Sequence, residues 1–258
     1  SGLLFDNILY IKGLEEHFMI NNTENRLTVE KLEFFNLLDK KMQQEFIKNA
    51  RLQSFKKGEC INNKLDLGKN VIIVLEGKLV CKRFHANGEG YSVFFLKEEE
   101  HYPFIDKNLS EYLDVYLIGK TSGKSLILTT EMFEQLRINH VQIDEILLSK
   151  INWHFYFAVS MRCVFPVTNA CERAKRVIYL FNREFGDRQA DGSSFFPRWI
   201  NHYEIALSAA TTRERVSQTI SQLRREGMVE NRGHLLILKP AFLEQLKQEI
   251  NLEPHRIT

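Results

Sequence analysis

Residues 201–225, NHYEIALSAATTRERVSQTISQLRR, constrain the fold more tightly than any other stretch of the chain. Two periodic runs flank a turn of small residues. The first, from about His202 to Ser208, puts Ile205 and Ala209 on one face. The second, from about Thr212 to Arg224, spaces Val216, Ile220 and Leu223 at i, i+4 and i+7, the stripe of a buried helix face. With those stripes turned inward, Arg213, Glu214, Ser217 and Gln218 remain on the outer face of the second helix, near its amino-terminal end. These side chains can read base edges, and that end of a recognition helix is the part that enters a major groove. The pattern predicts a helix-turn-helix that reads DNA.

Local chemistry supports both helix starts. Asn201 with Glu204 three residues on forms a capping-box pattern, and Thr211 with Glu214 forms a second. Caps and inward aliphatics also occur in helical hairpins that never touch DNA, and Glu214 has a plain reading as a cap. The following residues tip the balance. Gly227 ends the second helix, and MVENRGHLLILK (Met228–Lys239) reads as two short strands around Arg232-Gly233. Helix, turn, helix, hairpin is a winged helix-turn-helix. The wing would bring Arg232 and His234 to a phosphate backbone, a contact that positions the protein and carries no sequence information.

At 258 residues the chain has length for about two domains. A net charge of +2 is too small to indicate nucleic acid by itself. The surplus is nevertheless placed where the helix-turn-helix lies: from Arg162 onward the chain has 15 Lys/Arg against 11 Asp/Glu. No apolar run reaches the ~18 residues of a membrane span, and no signal peptide opens the chain, so a cytoplasmic location without membrane association is expected. Cys60, Cys81, Cys163 and Cys171 are scattered and form no C-x-x-C pair. They predict buried thiols, not a disulfide framework or a zinc site.

Upstream, Leu27–Ala50 carries Leu32, Phe35, Leu37, Leu38, Met42 and Phe46 at spacings that suit one or two amphipathic helices. From Arg51 the pattern shortens to strands punctuated by turns, with Asn87-Gly88 between KLVCKRF and YSVFFL as the strongest hairpin signal. Leu113–Leu128 supplies two more strands. Many short strands at even spacing predict an all-β sandwich or barrel of roughly 80 residues. After Thr129 the period lengthens, through Met132, Phe133 and Leu136 to a long helix over Val141–Arg162. Val141, Leu148, Ile151, Phe155 and Ala158 give that helix an approximate heptad seam, interrupted at Asp144 and Glu145, which suits a helix packed on its own β domain or, the sharper reading, one that pairs with a second copy of itself. Phe165-Pro166 breaks it. Another amphipathic helix over Asn169–Phe185 leads, through the polar loop GDRQADGSS (Gly186–Ser194), into the helix-turn-helix.

An amino-terminal β-roll, a long central helix and a carboxy-terminal winged helix-turn-helix together resemble the Crp/Fnr superfamily of bacterial transcription regulators. The most specific segment is EIALSAATTRERVSQTISQLRREGMV, in which Glu204-Ile205-Ala206, Thr212-Arg213-Glu214, Val216-Ser217, Leu223 and Glu226-Gly227-Met228 match the family pattern. The resemblance implies an α+β fold: a jelly-roll, cyclic-nucleotide-domain-like region with preceding helices over 1–140, a dimerisation helix over 141–163 and a DNA-binding domain over 164–258. It implies DNA contacts from Thr212, Arg213, Glu214, Ser217, Gln218 and, on the wing, Arg232. Two departures stand out. Ala210 occupies the position of the turn glycine, and Gln218 replaces an arginine, which shifts the expected base preference from guanine toward adenine.

The effector end departs further. A cyclic phosphate needs backbone N–H groups and a guanidinium, and relatives that bind one carry Gly-Glu followed by Arg-Ser/Thr-Ala. Here HYPFIDKNLSEYLDVYL (His101–Leu117) places Phe104-Ile105-Asp106 and Leu113-Asp114 at those positions. Acidic groups there repel a phosphate. The clustered cysteines of an iron–sulfur sensor are missing, and a haem would have to rest on His85, His101 or His154. No cofactor and no metal are expected, and no enzymatic activity. A cupin-type metalloenzyme would need an H-x-H metal set, which His85 and His101 do not form. The expected partners are double-stranded DNA, a second copy of the chain and, for an activator, RNA polymerase. The expected effector is a non-nucleotide molecule, or none.

Overall fold

The computed structural model describes residues 28–62, 69–84, 86, 90–103 and 115–250. Two compact units divide between Asn152 and Trp153, inside the long helix.

The first unit is a roll of two antiparallel sheets. One has the strand order β1 (Arg51–Phe55), β7 (Gly123–Thr129), β2 (Asn70–Glu76), β5 (His101–Tyr102); the other has the order β4 (Gly90–Leu96), β3 (Leu79–Phe84), β6 (Tyr116–Gly119). Strand β2 shows why the larger sheet is apolar on both faces. Its Ile72 and Val74 join Phe55, Leu79, Cys81, Leu96, Tyr102, Leu117 and Ile127 in the interior of the roll. Its Val71, Ile73 and Leu75 belong to a second core with the flanking helices. A strand buried on both faces reads as an unbroken apolar run, NVIIVLE, instead of an alternation.

The helices supply the outer half of that second core. A 3-10 turn (Glu33–Leu37) and α1 (Lys40–Asn49) bring Phe34 and Phe35 edge-on to Phe46, with ring centroids 5.8 and 5.5 Å apart. Asp39 caps α1 by accepting from the Met42 N–H at 2.8 Å. Helix α2 (Thr130–Asn139), capped by the Thr129 hydroxyl, adds Phe133 and Leu136; Ile143 and Leu147 come from the start of α3 (Val141–Arg162). His101 is a core residue, buried with its ring 5.2 Å from that of Phe133. Residues 1–27, His85, the Asn87-Gly88 turn, and Phe104, Ile105, Asp106, Leu113 and Asp114 lie outside the described residues. The strands flanking Asn87-Gly88 pair antiparallel, from Leu79 opposite Leu96 to Phe84 opposite Gly90.

In the second unit, α4 (Ala170–Phe185) starts from Asn169, whose side chain accepts from the Cys171 and Glu172 N–H groups. Ala174, Val177, Ile178 and Phe181 form its buried stripe. The ring of Phe157, from the end of α3, stacks on Phe181 at 6.2 Å and meets Phe185 edge-on at 5.9 Å. The segment read as a polar loop is a small hairpin instead. Its ends form β8 (Asp187–Arg188) and β9 (Ser194–Phe195), and the Asp191 carboxylate closes the turn by accepting from the Ser193 N–H and hydroxyl at 2.9 and 2.6 Å. Two-residue strands leave no periodicity to read. Strand β9 is held by β11 (Leu235–Leu238), whose Ile237 faces Phe195 some forty residues away in sequence.

Helix α3 spans the 141–162 range expected from its period. Its exposed stripe runs Val141, Glu145, Leu148, Asn152, Phe155 and Val159, with Phe155 70 % and Val141 69 % exposed. Of the expected seam, Val141, Leu148, Phe155 and Ala158 are exposed and Ile151 is half-buried; Asn152 and Val159 lie in line with Leu148 and Phe155.

Candidate nucleic-acid interface

Helix α5 (His202–Ser208) and helix α6 (Arg213–Arg225) pack through the predicted stripes: Ile205, Ala206, Ala209, Val216, Ile220 and Leu223 are all buried. Asn201 caps α5 by accepting from the Glu204 N–H at 3.0 Å. The cap of α6 is Thr212, whose hydroxyl accepts from the Arg215 N–H at 3.2 Å. This corrects the Thr211 capping box by one residue. Thr211 is instead drawn into the preceding turn, its N–H bonded to the Ala206 carbonyl at 2.9 Å. Glu214 then falls in the first turn of α6, where its own N–H and the Thr212 hydroxyl hold its carboxyl below the usual carboxylate range.

The turn between the helices closes as a Schellman motif. The Thr211 N–H reaches the Ala206 carbonyl, and the Ala210 N–H the Leu207 carbonyl at 3.2 Å. That motif puts Ala210 at φ +46, in left-handed space that an L side chain adopts at a cost. The sequence reading missed what holds it there. Arg173, on α4, donates to the carbonyls of Ala209 at 2.7 Å, Ala210 at 2.9 Å, Val167 at 2.9 Å and Thr168 at 2.8 Å. One guanidinium thus ties the turn ahead of α6 to the segment ahead of α4.

Beyond α6, Gly227 at φ +72 ends the helix with the same motif: the Met228 N–H meets the Leu223 carbonyl and the Gly227 N–H the Arg224 carbonyl. The wing follows as β10 (Val229–Arg232) and β11, joined by the two-residue loop Gly233-His234. Gly233, at φ +61, takes the first central position, where a type II′ hairpin turn requires glycine. The loop therefore lies one residue beyond the Arg232-Gly233 expected.

Thr212, Arg213, Glu214 and Gln218 are exposed along one side of α6, and Ser217 is half-buried beside them. Besides Thr212 and Glu214, two more of these polar groups already have partners. The Gln218 carbonyl oxygen accepts from Arg215 at 3.2 Å, which leaves its amide N–H groups facing outward. The Ser217 hydroxyl lies 2.9 Å from Nδ1 of His202, at the start of α5. Burial, with Arg213 and Arg224 adding to it, pushes the His202 imidazole below its usual value. On the wing, Arg232 is exposed and reaches the Glu230 carboxylate only at 3.4 Å, while Lys239 is the closer partner of that carboxylate. Arg215, Arg224, Arg225 and His234 are exposed as well. Sequence reasoning passed over Arg215 and His202; Arg215 meets Gln218 within α6 itself, and only the packing of α5 on α6 brings His202 to Ser217.

A capped helix pair with a wing, and cationic and amide side chains exposed on the second helix, defines a winged helix-turn-helix protein built to meet a DNA duplex. Residues 175–246 match the Crp-like helix-turn-helix domain family. No curated protein matches the chain in sequence. Solved structures share its architecture. A cyclic nucleotide-binding domain containing protein from Listeria monocytogenes superposes with a TM-score of 0.67 at 14 % identity, over 84 % of this chain and 99 % of that one. A CooA variant from Carboxydothermus hydrogenoformans gives 0.63 at 14 %, over 78 % and 88 %. FixK2 from Bradyrhizobium japonicum gives 0.59 at 16 %, over 76 % and 96 %. The fold is that of the Crp/Fnr regulators, and with its Crp-like domain the chain is a DNA-binding transcription regulator. Among the described residues no helix is long and apolar enough to cross a membrane.

Proposed function

We propose that the protein acts in the cytoplasm as a homodimer that binds an inverted-repeat operator, without enzymatic activity. Each α6 enters a major groove, where Arg213, Glu214, Ser217 and Gln218 meet base edges, while Thr212 and Arg232 approach phosphates. Two-fold pairing along α3 sets the two recognition helices about one duplex turn apart. The supporting observation is the stripe of Val141, Leu148, Phe155 and Val159, exposed on one side of α3. Apolar side chains at coiled-coil spacing gain burial when they face a second copy. Replacing Leu148 and Phe155 together by Glu is expected to yield a monomer in sedimentation equilibrium. A dimer of unchanged stability would reject the α3 seam.

DNA reading is tested with duplexes recovered from a randomised library. Arg213→Ala is expected to weaken binding of the recovered duplex by about 1–3 kcal/mol, measured by fluorescence anisotropy. Unchanged affinity would remove Arg213 from the reading face. The effector, where one exists, is other than a cyclic nucleotide. Two observations support this: Phe55, Leu96, Tyr102 and Leu117 fill the described interior of the roll, and the 101–117 stretch carries acidic residues where a phosphate cassette needs Gly and Arg. An activator would in addition contact RNA polymerase.

A further inference from the structure

We propose that His202 is a specificity-determining member of the DNA-reading surface, setting through its hydrogen bond whether the Ser217 hydroxyl offers a lone pair or a proton to the duplex. The inference rests on α6 being the reading helix. His202 opens α5 and is half-buried, with Nδ1 2.9 Å from the Ser217 Oγ. Ser217 lies one helical turn past Arg213, among the side chains free to approach a groove. A hydroxyl has one proton and two lone pairs. When Nδ1 is bare it accepts the Ser217 proton, and only lone pairs remain for the duplex, suited to the amino group of cytosine or adenine. When the ring is an imidazolium, Nδ1–H donates to Oγ and the serine proton turns outward, toward the acceptors of guanine or thymine or toward a phosphate. The second N–H of the imidazolium is then a further donor, and its charge faces the duplex.

The charged groups that bear on the ring are Arg213 and Arg224, both from α6, and together with burial they keep it neutral in the free protein at neutral pH. On α5 itself Glu204 is buried two residues on. From α4, Arg173 is committed to the carbonyls at the far end of α5. Duplex phosphates oppose the two arginines and favour the imidazolium. The bound-state value therefore lies above the free one, so affinity rises as pH falls through that window and levels off below the free value.

The test uses the full chain and a duplex it recovers from a randomised library, titrated at constant ionic strength from about pH 8 to about pH 5.5. The unaltered protein is expected to bind several-fold tighter at the acid end. His202→Asn keeps an acceptor toward Ser217 but cannot titrate; it is expected to match the unaltered protein at the alkaline end and to show a flat profile. His140→Asn, outside the helix-turn-helix and beside Met42, is expected to retain the full pH dependence. Libraries selected at the two ends are expected to differ at the base facing Ser217. A flat profile for the unaltered protein overturns the proposal, as does an unchanged slope in His202→Asn or loss of the slope in His140→Asn. If the protein recovers no duplex at all, the proposal falls together with the DNA-reading function beneath it; recovery with a flat profile removes the proposal alone.

Discussion

The two ends of the helix-turn-helix close with the same backbone motif and different residues. Before α6 the left-handed position is Ala210, at φ +46; after α6 it is Gly227, at φ +72. The hydrogen bonds match, 6→1 and 5→2 in both turns. The surroundings do not. The Gly227 turn relies on these backbone bonds and on a residue that adopts the conformation freely, whereas the Ala210 turn has in addition the Arg173 guanidinium on the carbonyls of both Ala209 and Ala210. A turn without its glycine keeps its shape when the surrounding structure over-determines it. Ala210 is thus less a mild substitution than half of a pair with Arg173.

Breaking the clamp is expected to have the largest effect. Arg173→Met keeps the aliphatic stem but leaves four carbonyls without their charged donor. It should lower unfolding stability by about 3 kcal/mol in urea titration, given the worth of hydrogen bonds to charged groups. A midpoint shift too small to measure would show that the Ala210 turn stands without help. The two left-handed positions should then respond with opposite signs. Gly227→Ala meets no neighbouring atom within 4 Å, so its cost is that of the backbone alone, about 1 kcal/mol of lost stability. Ala210→Gly, the smallest effect, should gain about 0.5 kcal/mol, because relief of the strained conformation slightly exceeds the added freedom of the unfolded chain. Loss of stability in Ala210→Gly would mean that the alanine carries no strain.

Much of the second unit was legible in its residues, because its signals are local. The stripe Val216, Ile220, Leu223, the Asn201 cap and the Gly227 stop act within one or two helical turns, and the structure has each of them in place. The misplaced Thr211 cap shows the limit of such signals. Thr211 and Thr212 are equivalent as cap residues, and the choice fell to the Schellman turn, which had already taken the Thr211 N–H. The hairpin at 187–195 was illegible for a different reason, since its second strand is stabilised by a partner far along the chain. Along α3, the heptad reading found Val141, Leu148 and Phe155. It included Ile151, which is half-buried, whereas the exposed stripe runs through the polar Asn152.

The sequence by itself determined the long helix, the helix-turn-helix and the side chains on its outer face. Each of these follows from periodicity and from capping chemistry that a few neighbouring residues complete among themselves. Tertiary structure alone decided how those side chains are engaged. Arg173 reaches the Ala210 turn across 37 residues of chain, and His202 meets Ser217 across 15. A hydrogen bond depends on position within a few tenths of an ångström, and such positions are fixed by packing, not by spacing along the chain.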